Sequence, residues 1–338
     1  MKTILHLVDD EKPGGVQRVL DYLKNDPGLG SLATHRILVL KKGQWRPPAE
    51  EADAVVSHLS ICWRNFPLLV ALRASYARKP LVHVEHSYSG GFVDCNVSRQ
   101  GRFRALLSAS YALFDRVVAV SDGQARWLGE FGAAPQSKIR TIRSCVDISP
   151  FLALAPKARG EGRLSICAIG RLDRQKGFDV LIDAMKTLGP NIASLSIWGA
   201  GPEQEALGAK IADLPHVSLE GRTDTPALAY AKCDVVAVPS RWEPFGLVGL
   251  EARAAARPIL TAAIDGLPEQ AADGGVVVED GAAAWADAIR AIASTDLTDL
   301  RDMARFSAES AEERFLSGWR SLLDEALDDG FMREADAA

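Results

Sequence analysis

Cysteine is scarce and scattered in this chain. Its five cysteines, Cys62, Cys95, Cys145, Cys167 and Cys233, keep no paired spacing. That pattern excludes a disulfide-stapled scaffold and a zinc ribbon, and it leads to the expectation of reduced thiols in a cytoplasmic protein. No apolar run approaches the ~20 residues of a membrane-spanning helix. The opening run Thr3 to Val8 ends at Asp9-Asp10-Glu11, which is too short and too acidic at its exit for a signal peptide. Two glycine patterns that bind phosphates are also missing. Neither G-x-G-x-x-G at a first helix nor G-x4-G-K-[ST] occurs, and Gly199 with Gly201 is only a decoy, because position 204 is Gln. No His, Cys, Asp and Glu set has metal-ligand spacing, so neither a metal nor a resident cofactor is expected. No nucleic-acid partner is expected either.

What the chain does have is enough length for two cores. At 338 residues, 47% hydrophobic and 25% charged, it reads as an ordinary globular protein of two domains. The net charge of −5 hides an asymmetry: residues 1–150 hold 20 Lys and Arg against 14 Asp and Glu, and the remainder is acidic. Short β-branched runs alternate with helical periodicity along the whole length. Strands are predicted at Thr3–Val8, Arg36–Leu40, Ala54–Ser57, Leu81–Val84, Val117–Val120 and Ile139–Ile142. A second set follows at Leu164–Ile169, Ala193–Trp198, Val217–Leu219, Asp234–Val238, Pro258–Thr261 and Val276–Val278. This βαβα order implies parallel sheets covered on both faces, that is, an α/β fold. Residues 148–163, with two prolines and two glycines, read as the linker. Helices are predicted at 282–293 and as one stretch over 297–328.

The most informative stretch is 239–260, PSRWEPFGLVGLEARAAARPIL. A buried strand leads into a polar turn carrying Glu243, then Phe245-Gly246, then a helix whose Leu247, Leu250 and Ala254 share one face. Ligands of open α/β sheets bind outside the carboxyl ends of the strands. The free N–H groups of Phe245, Gly246 and Leu247 would point into that crevice and hold hydroxyls or an anion. Glu251 follows Glu243 by eight residues. At other strand ends stand Gly14-Gly15, where a first helix begins, His86 after the fourth strand, and Gly170-Arg171-Leu172…Lys176-Gly177 after the seventh. A forked guanidinium and a point-charge ammonium there suit a diphosphate.

Glu-x7-Glu with Pro-Phe-Gly after the first Glu resembles the signature of retaining glycosyltransferases of the GT-B fold, family 4 (glycosyltransferase group 1). Gly-Gly, His, Val-Ser, Gly-Arg-Leu with Lys-Gly, and Glu-x7-Glu occur in that family's order over nearly the whole chain. The resemblance implies two Rossmann-like domains facing a cleft: 1–150 for the acceptor and 163–315 for the donor. A final helix at about 316–330 would cross back to the first domain. It assigns Glu243 to the donor sugar and Glu251 to the ribose. Arg171 and Lys176 would clamp the leaving diphosphate, and Gly14 and Gly15 would abut the donor phosphates. His86 would lie near the reacting carbon. The family often has Asp after this His, where this chain has Ser87. The implied reaction moves a sugar from a nucleotide-diphosphate sugar to a hydroxyl of a glycan or lipid-linked acceptor, with retention, in cell-envelope polysaccharide or lipopolysaccharide synthesis. A nucleotide-sugar 2-epimerase on the same fold and a non-catalytic nucleotide-sugar-binding protein are the alternatives.

Residues 54–84 and 95–114 contain no acidic side chain, but they carry Arg64, Arg73, Arg78, Lys79, Arg99, Arg102 and Arg104. Trp63, Phe66, Leu68, Leu69, Leu72 and Tyr76 are interleaved at roughly helical spacing. The stretch reads in two ways: a helix with its core face inward and solvated arginines around it, or an interfacial helix resting on an anionic membrane.

Overall fold

The computed structural model describes residues 2–9, 14–41, 43–157 and 162–328. It divides into two compact units: Met1–Ser89 with Asn96–Val146 and Glu312–Ala338, and Gly90–Cys95 with Asp147–Ala311. The predicted linker at 148–163 begins in the helix Ser149–Leu152 of unit 2, and its residues 158–161 lie outside the described residues.

Unit 1 holds strands β1 (Lys2–Val8), β2 (Ala33–Val39), β3 (Ala54–Ser57), β4 (Leu81–Glu85), β5 (Arg116–Ala119) and β6 (Ile139–Thr141). All pair in parallel, in the order β2-β1-β3-β4-β5-β6. Unit 2 holds β7 (Leu164–Ile169), β8 (Ala193–Trp198), β9 (Val217–Gly221), β10 (Val235–Val238), β11 (Ile259–Ala262) and β12 (Gly275–Val278). Its order is β12-β11-β10-β7-β8-β9, again parallel. Each unit is therefore Rossmann-like. The direction of winding reverses between β1 and β3 in the first sheet and between β7 and β10 in the second. Such reversals open a crevice at the strands' carboxyl ends.

Apolar periodicity explains how the helices dock. The helix Phe178–Leu188 buries Leu181, Ile182 and Met185 against Trp285 and Ile289 of the helix Ala282–Ala293 and the face of the second sheet. A fully buried side chain of this size contributes about 1.5–3 kcal/mol. The chain's end departs from the single predicted helix over 297–328. Two helices form there, Thr298–Glu309 and Ala311–Asp328, separated at Ser310. Phe315, Trp319, Leu322, Leu323 and Ala326, a stripe at helical spacing, are buried on the second helix. That helix belongs to unit 1: Trp319 packs on His6, Phe315 on Tyr22, and Glu325 pairs with Arg116. Of the helix predicted at 316–330, residues 329 and 330 lie outside the described residues.

Candidate active site

The loops that follow β7 and β10 meet at the reversal point of unit 2. After β7 the chain passes Gly170-Arg171 and turns at Gly177, whose φ is +64°. A side chain at Gly177 would lie 2.0 Å from the Pro239 carbonyl, so the two loops touch backbone to backbone. Arg241 fastens them. It forms a bidentate pair with Asp179 at 2.9 and 2.7 Å and donates to the Arg174 carbonyl at 2.9 Å. Gln175 donates to the Trp242 carbonyl at 3.0 Å. This frame brings Lys176 and Glu243, 67 residues apart, to 2.5 Å, with both side chains mostly buried. The stem of Lys176 lies across Gly170, where an added Cβ would stand 3.3 Å from it. Arg171 is different: it pairs with Asp173 and its side chain is 71% exposed.

The turn to the helix Leu247–Ala254 passes through Gly246 at φ +86°, a left-handed conformation that glycine adopts without strain. Among the described residues the N–H groups of Phe245, Gly246 and Leu247 take no partner, so three donors remain at a helix N-terminus. Glu251 lies within this helix and is buried. Its Oε2 accepts from the Tyr230 hydroxyl at 2.8 Å. Burial and that carboxylate push the Tyr230 phenol well above its ordinary value.

Gly199 and Gly201 work through backbone geometry. A Cβ on Gly199 would meet the Gly170 carbonyl at 1.8 Å, and one on Gly201 would meet the Leu172 carbonyl at 2.4 Å. The β8 loop thus lies directly on the loop that carries Arg171.

In unit 1, Gly14 caps the helix Gly15–Asn25 with extended backbone, and both glycines are exposed. Residues 10–13 before them lie outside the described residues. His86 follows β4, and its Nε2 meets His58 Nδ1 at 2.9 Å. Burial drives the His86 imidazole down to about 4, which Glu85 opposes and His83 assists. Burial also pushes the Glu85 carboxyl up, but His83, Tyr111 and the Ser87 N–H outweigh it and hold the group below its usual range. Ser87 therefore serves here through its backbone.

The predicted residues fall into two groups. Unit 2 gathers Arg171, Lys176, Glu243, Phe245, Gly246, Leu247 and Glu251; unit 1 carries Gly14, Gly15 and His86. Sequence reasoning missed Asp265, which accepts from Gly91 N and Glu243 N, both at 2.9 Å, and so fixes the Glu243 backbone. Its φ of +51° is unusual for a residue with a side chain. An Asp before Gly266 in a turn was the available signal, because Asp tolerates this conformation. Among the described residues no cluster could hold a metal ion, and no helix is long and apolar enough to cross a membrane.

Residues 163–295 match the family Glycosyl transferases group 1, and residues 13–150 match Glycosyltransferase Family 4. The chain belongs to this family. Among curated relatives, glycogen synthase of Mycobacterium tuberculosis is 31% identical over 243 residues, spanning 68% of this chain and 55% of the relative. A D-inositol 3-phosphate glycosyltransferase of Mycolicibacterium smegmatis is 30% identical over 238 residues, 63% of this chain and 52% of the relative. The chain thus spans about half the length of the curated relatives it matches. Anabaena HepE, solved in complex with UDP-glucose, superposes with a TM-score of 0.73 at 19% identity, over 96% of this chain and 100% of that one. WaaG, a glycosyltransferase involved in lipopolysaccharide biosynthesis, superposes at 0.70 with 17% identity, over 95% and 98%. These likenesses show the GT-B fold, in which group 1 glycosyltransferases build two Rossmann-like domains.

Proposed function

We propose that the chain transfers a sugar from a nucleotide-diphosphate sugar to a hydroxyl of a glycan or lipid-linked acceptor, with retention at the anomeric carbon. The observation that carries this reading is the Lys176–Glu243 pair, held at the reversal point of a Rossmann-like sheet beside Arg171 and three free N–H groups. Charge develops on the diphosphate as the glycosidic bond breaks. Lys176, Arg171 and the helix N-terminus are preplaced donors that stabilise such charge without reorganisation. Glu243, whose carboxylate is anchored by Lys176 and whose backbone is anchored by Asp265, would accept from sugar hydroxyls. Glu251 would serve the ribose, and Tyr230 fixes one of its oxygens. On this reading unit 2 binds the donor, while unit 1 supplies His86 and binds the acceptor.

That a neighbour of the same fold was solved with UDP-glucose supports UDP-sugars as the first donors to try. The reaction is proposed to need no metal, with cationic side chains in that role. The setting proposed is cytoplasmic, at the inner face of the plasma membrane, in cell-envelope glycan synthesis. The test is a mass-spectrometric screen of UDP-, GDP- and dTDP-sugars against cell-envelope extract, with each donor alone as a control. A glycosylated product formed from one donor supports the reading. An epimer formed from donor alone, or no turnover with any donor, overturns it.

A further inference from the structure

Behind His86 runs a row of three more imidazoles within unit 1. His58 Nδ1 is 2.9 Å from His86 Nε2, His6 Nδ1 is 3.0 Å from His58 Nε2, and His35 Nδ1 is 3.0 Å from His6 Nε2. The ring centroids are spaced 5.2 to 5.3 Å apart. The row follows the sheet: His35 lies on β2, His6 on β1, His58 just after β3 and His86 just after β4, in the order in which those strands lie side by side. His6, His35 and His58 are buried, and Trp319 of the final helix packs on the His6 ring at 6.1 Å.

A neutral imidazole has one N–H and one lone pair, and each contact between two rings needs one of each. The tautomer of one ring therefore dictates that of the next. Four neutral rings have two consistent orders: all protonated on Nε2, or all protonated on Nδ1. Burial keeps the rings neutral: with the neighbouring ring His35 it drives His6 down to about 3, and with His86, His6 and His83 it drives His58 well below its ordinary value. His83 and Glu85 are the other titratable groups beside His86, and their influences oppose each other. The far end leaves the choice open: His35 Nδ1 is occupied by His6, and its Nε2 is buried without a hydrogen-bonded partner. A neutral histidine side chain intrinsically prefers its proton on Nε2, and the ring-to-ring contacts sum that preference over four rings. A proton on His35 Nε2 makes every ring in the row an Nε2–H donor toward β2.

We propose that His35, His6 and His58 are positioning residues that hold His86 as the Nε2–H tautomer, leaving its Nδ1 a bare acceptor for a substrate hydroxyl. Among the described residues no hydrogen bond is made to that Nδ1. This assignment rests on the transferase reading for its substrate, whereas its test does not. An isolated histidine in water already leans toward the Nε2–H form, so the signature of the device is the response of His86 to a change at His35.

The experiment is two-bond 15N–1H correlation of the histidine rings in the full-length chain at pH 7, without substrate. His86 Nδ1 should resonate as a lone-pair nitrogen and Nε2 as a protonated one, with the same pattern in His58, His6 and His35. His35→Leu removes the acceptor at the far end. It should shift the His86 nitrogens toward an averaged position, although His86 lies three contacts away. His35→Asn, whose side-chain oxygen takes the place of Nδ1, should restore the wild-type pattern. A role limited to packing would leave His86 unmoved in both variants. A protonated His86 Nδ1 in the wild type, or unchanged His86 signals in a folded His35→Leu variant, overturns the proposal. Inactivity in the donor screen with the tautomer row intact would instead count against the transferase reading alone.

Discussion

Mild acid should unfold unit 1 through its histidines, before the carboxylates begin to titrate. His6, His58 and His86 stay neutral in the folded chain because burial drives them down, to about 3 for His6 and about 4 for His86. In the unfolded chain each returns to about 6.5. The unfolded state therefore binds more protons below pH about 6.5, so stability is full above that value and falls with pH down to the folded values. An unfolded histidine is about three-quarters protonated at pH 6 and nearly fully at pH 5. Each proton taken up only on unfolding costs about 1.4 kcal/mol per pH unit, so three rings remove roughly 3–4 kcal/mol between pH 6 and pH 5. That is a large share of the 5–15 kcal/mol typical of a domain. The carboxylates do not confuse this window. Despite burial, Arg241 holds Asp179 down, Lys210 holds Asp183 down and Ser165 holds Asp234 down, so their contributions disappear only below about pH 4. The assay is urea denaturation followed by fluorescence, with Trp319 beside His6 as a reporter, at pH 7, 6 and 5. The midpoint should hold between pH 8 and 7 and drop steeply between 6 and 5. A midpoint independent of pH over that last unit would refute the reasoning.

Lys176→Ala and Arg171→Ala should each lower kcat by an amount equivalent to about 2–4 kcal/mol with little change in melting, and near-wild-type turnover in the double variant would remove them from the leaving-group role. Tyr230→Phe should destabilise unit 2 by about 1–3 kcal/mol in denaturant, because it strips a donor from the buried Glu251 carboxylate; an unchanged midpoint would show that the bond contributes nothing. Gly199→Ala, at φ +148° and against the Gly170 carbonyl, should cost about 3 kcal/mol or more by thermal melting, and wild-type stability would contradict the backbone packing. Most of the apolar set at 63–76 is core: Leu68, Leu69, Leu72 and Tyr76 are buried, while Val70 stays 44% exposed and Trp63, with Arg102 over its ring, 49% exposed. Flotation with anionic vesicles at low salt should therefore be weak and should fade as screening increases; equal flotation with neutral lipid would rule out charge as its basis.

The strands were legible because each is a short β-branched run closed by turn residues; all twelve predicted strands form, with ends shifted by a few residues at most. The break at Ser310 was not, because the apolar periodicity continues on both sides of it. The Glu243 turn could be read from its composition and its place after a strand. Its ion pair with Lys176 could be expected only as two residues of one crevice, since the contact depends on Gly177 letting two backbones touch. Tyr230 beneath Glu251 carried no local signal, and Asp265 behind Glu243 showed only its turn with Gly266 and not its partner, because each acts across a gap of about twenty residues that the fold closes. The histidine row was beyond reach for a stronger reason. Its members sit at 6, 35, 58 and 86, and their alignment follows from strand order, with β1 and β2 exchanging places relative to the sequence.

The helix Ala311–Asp328 also has a consequence for synthesis. Residues 147–311 form a nearly unbroken compact unit that can close as soon as it leaves the ribosome, whereas the sheet begun at Lys2 waits for Phe315 and Trp319 to complete its packing. Domains ordinarily mature from the amino end as translation proceeds. Here the later-made unit finishes first, and the earlier one stays an open intermediate until the last helix emerges. A nascent chain stalled before residue 311 should accordingly be cut by protease within its first 146 residues, and one released after 328 should not.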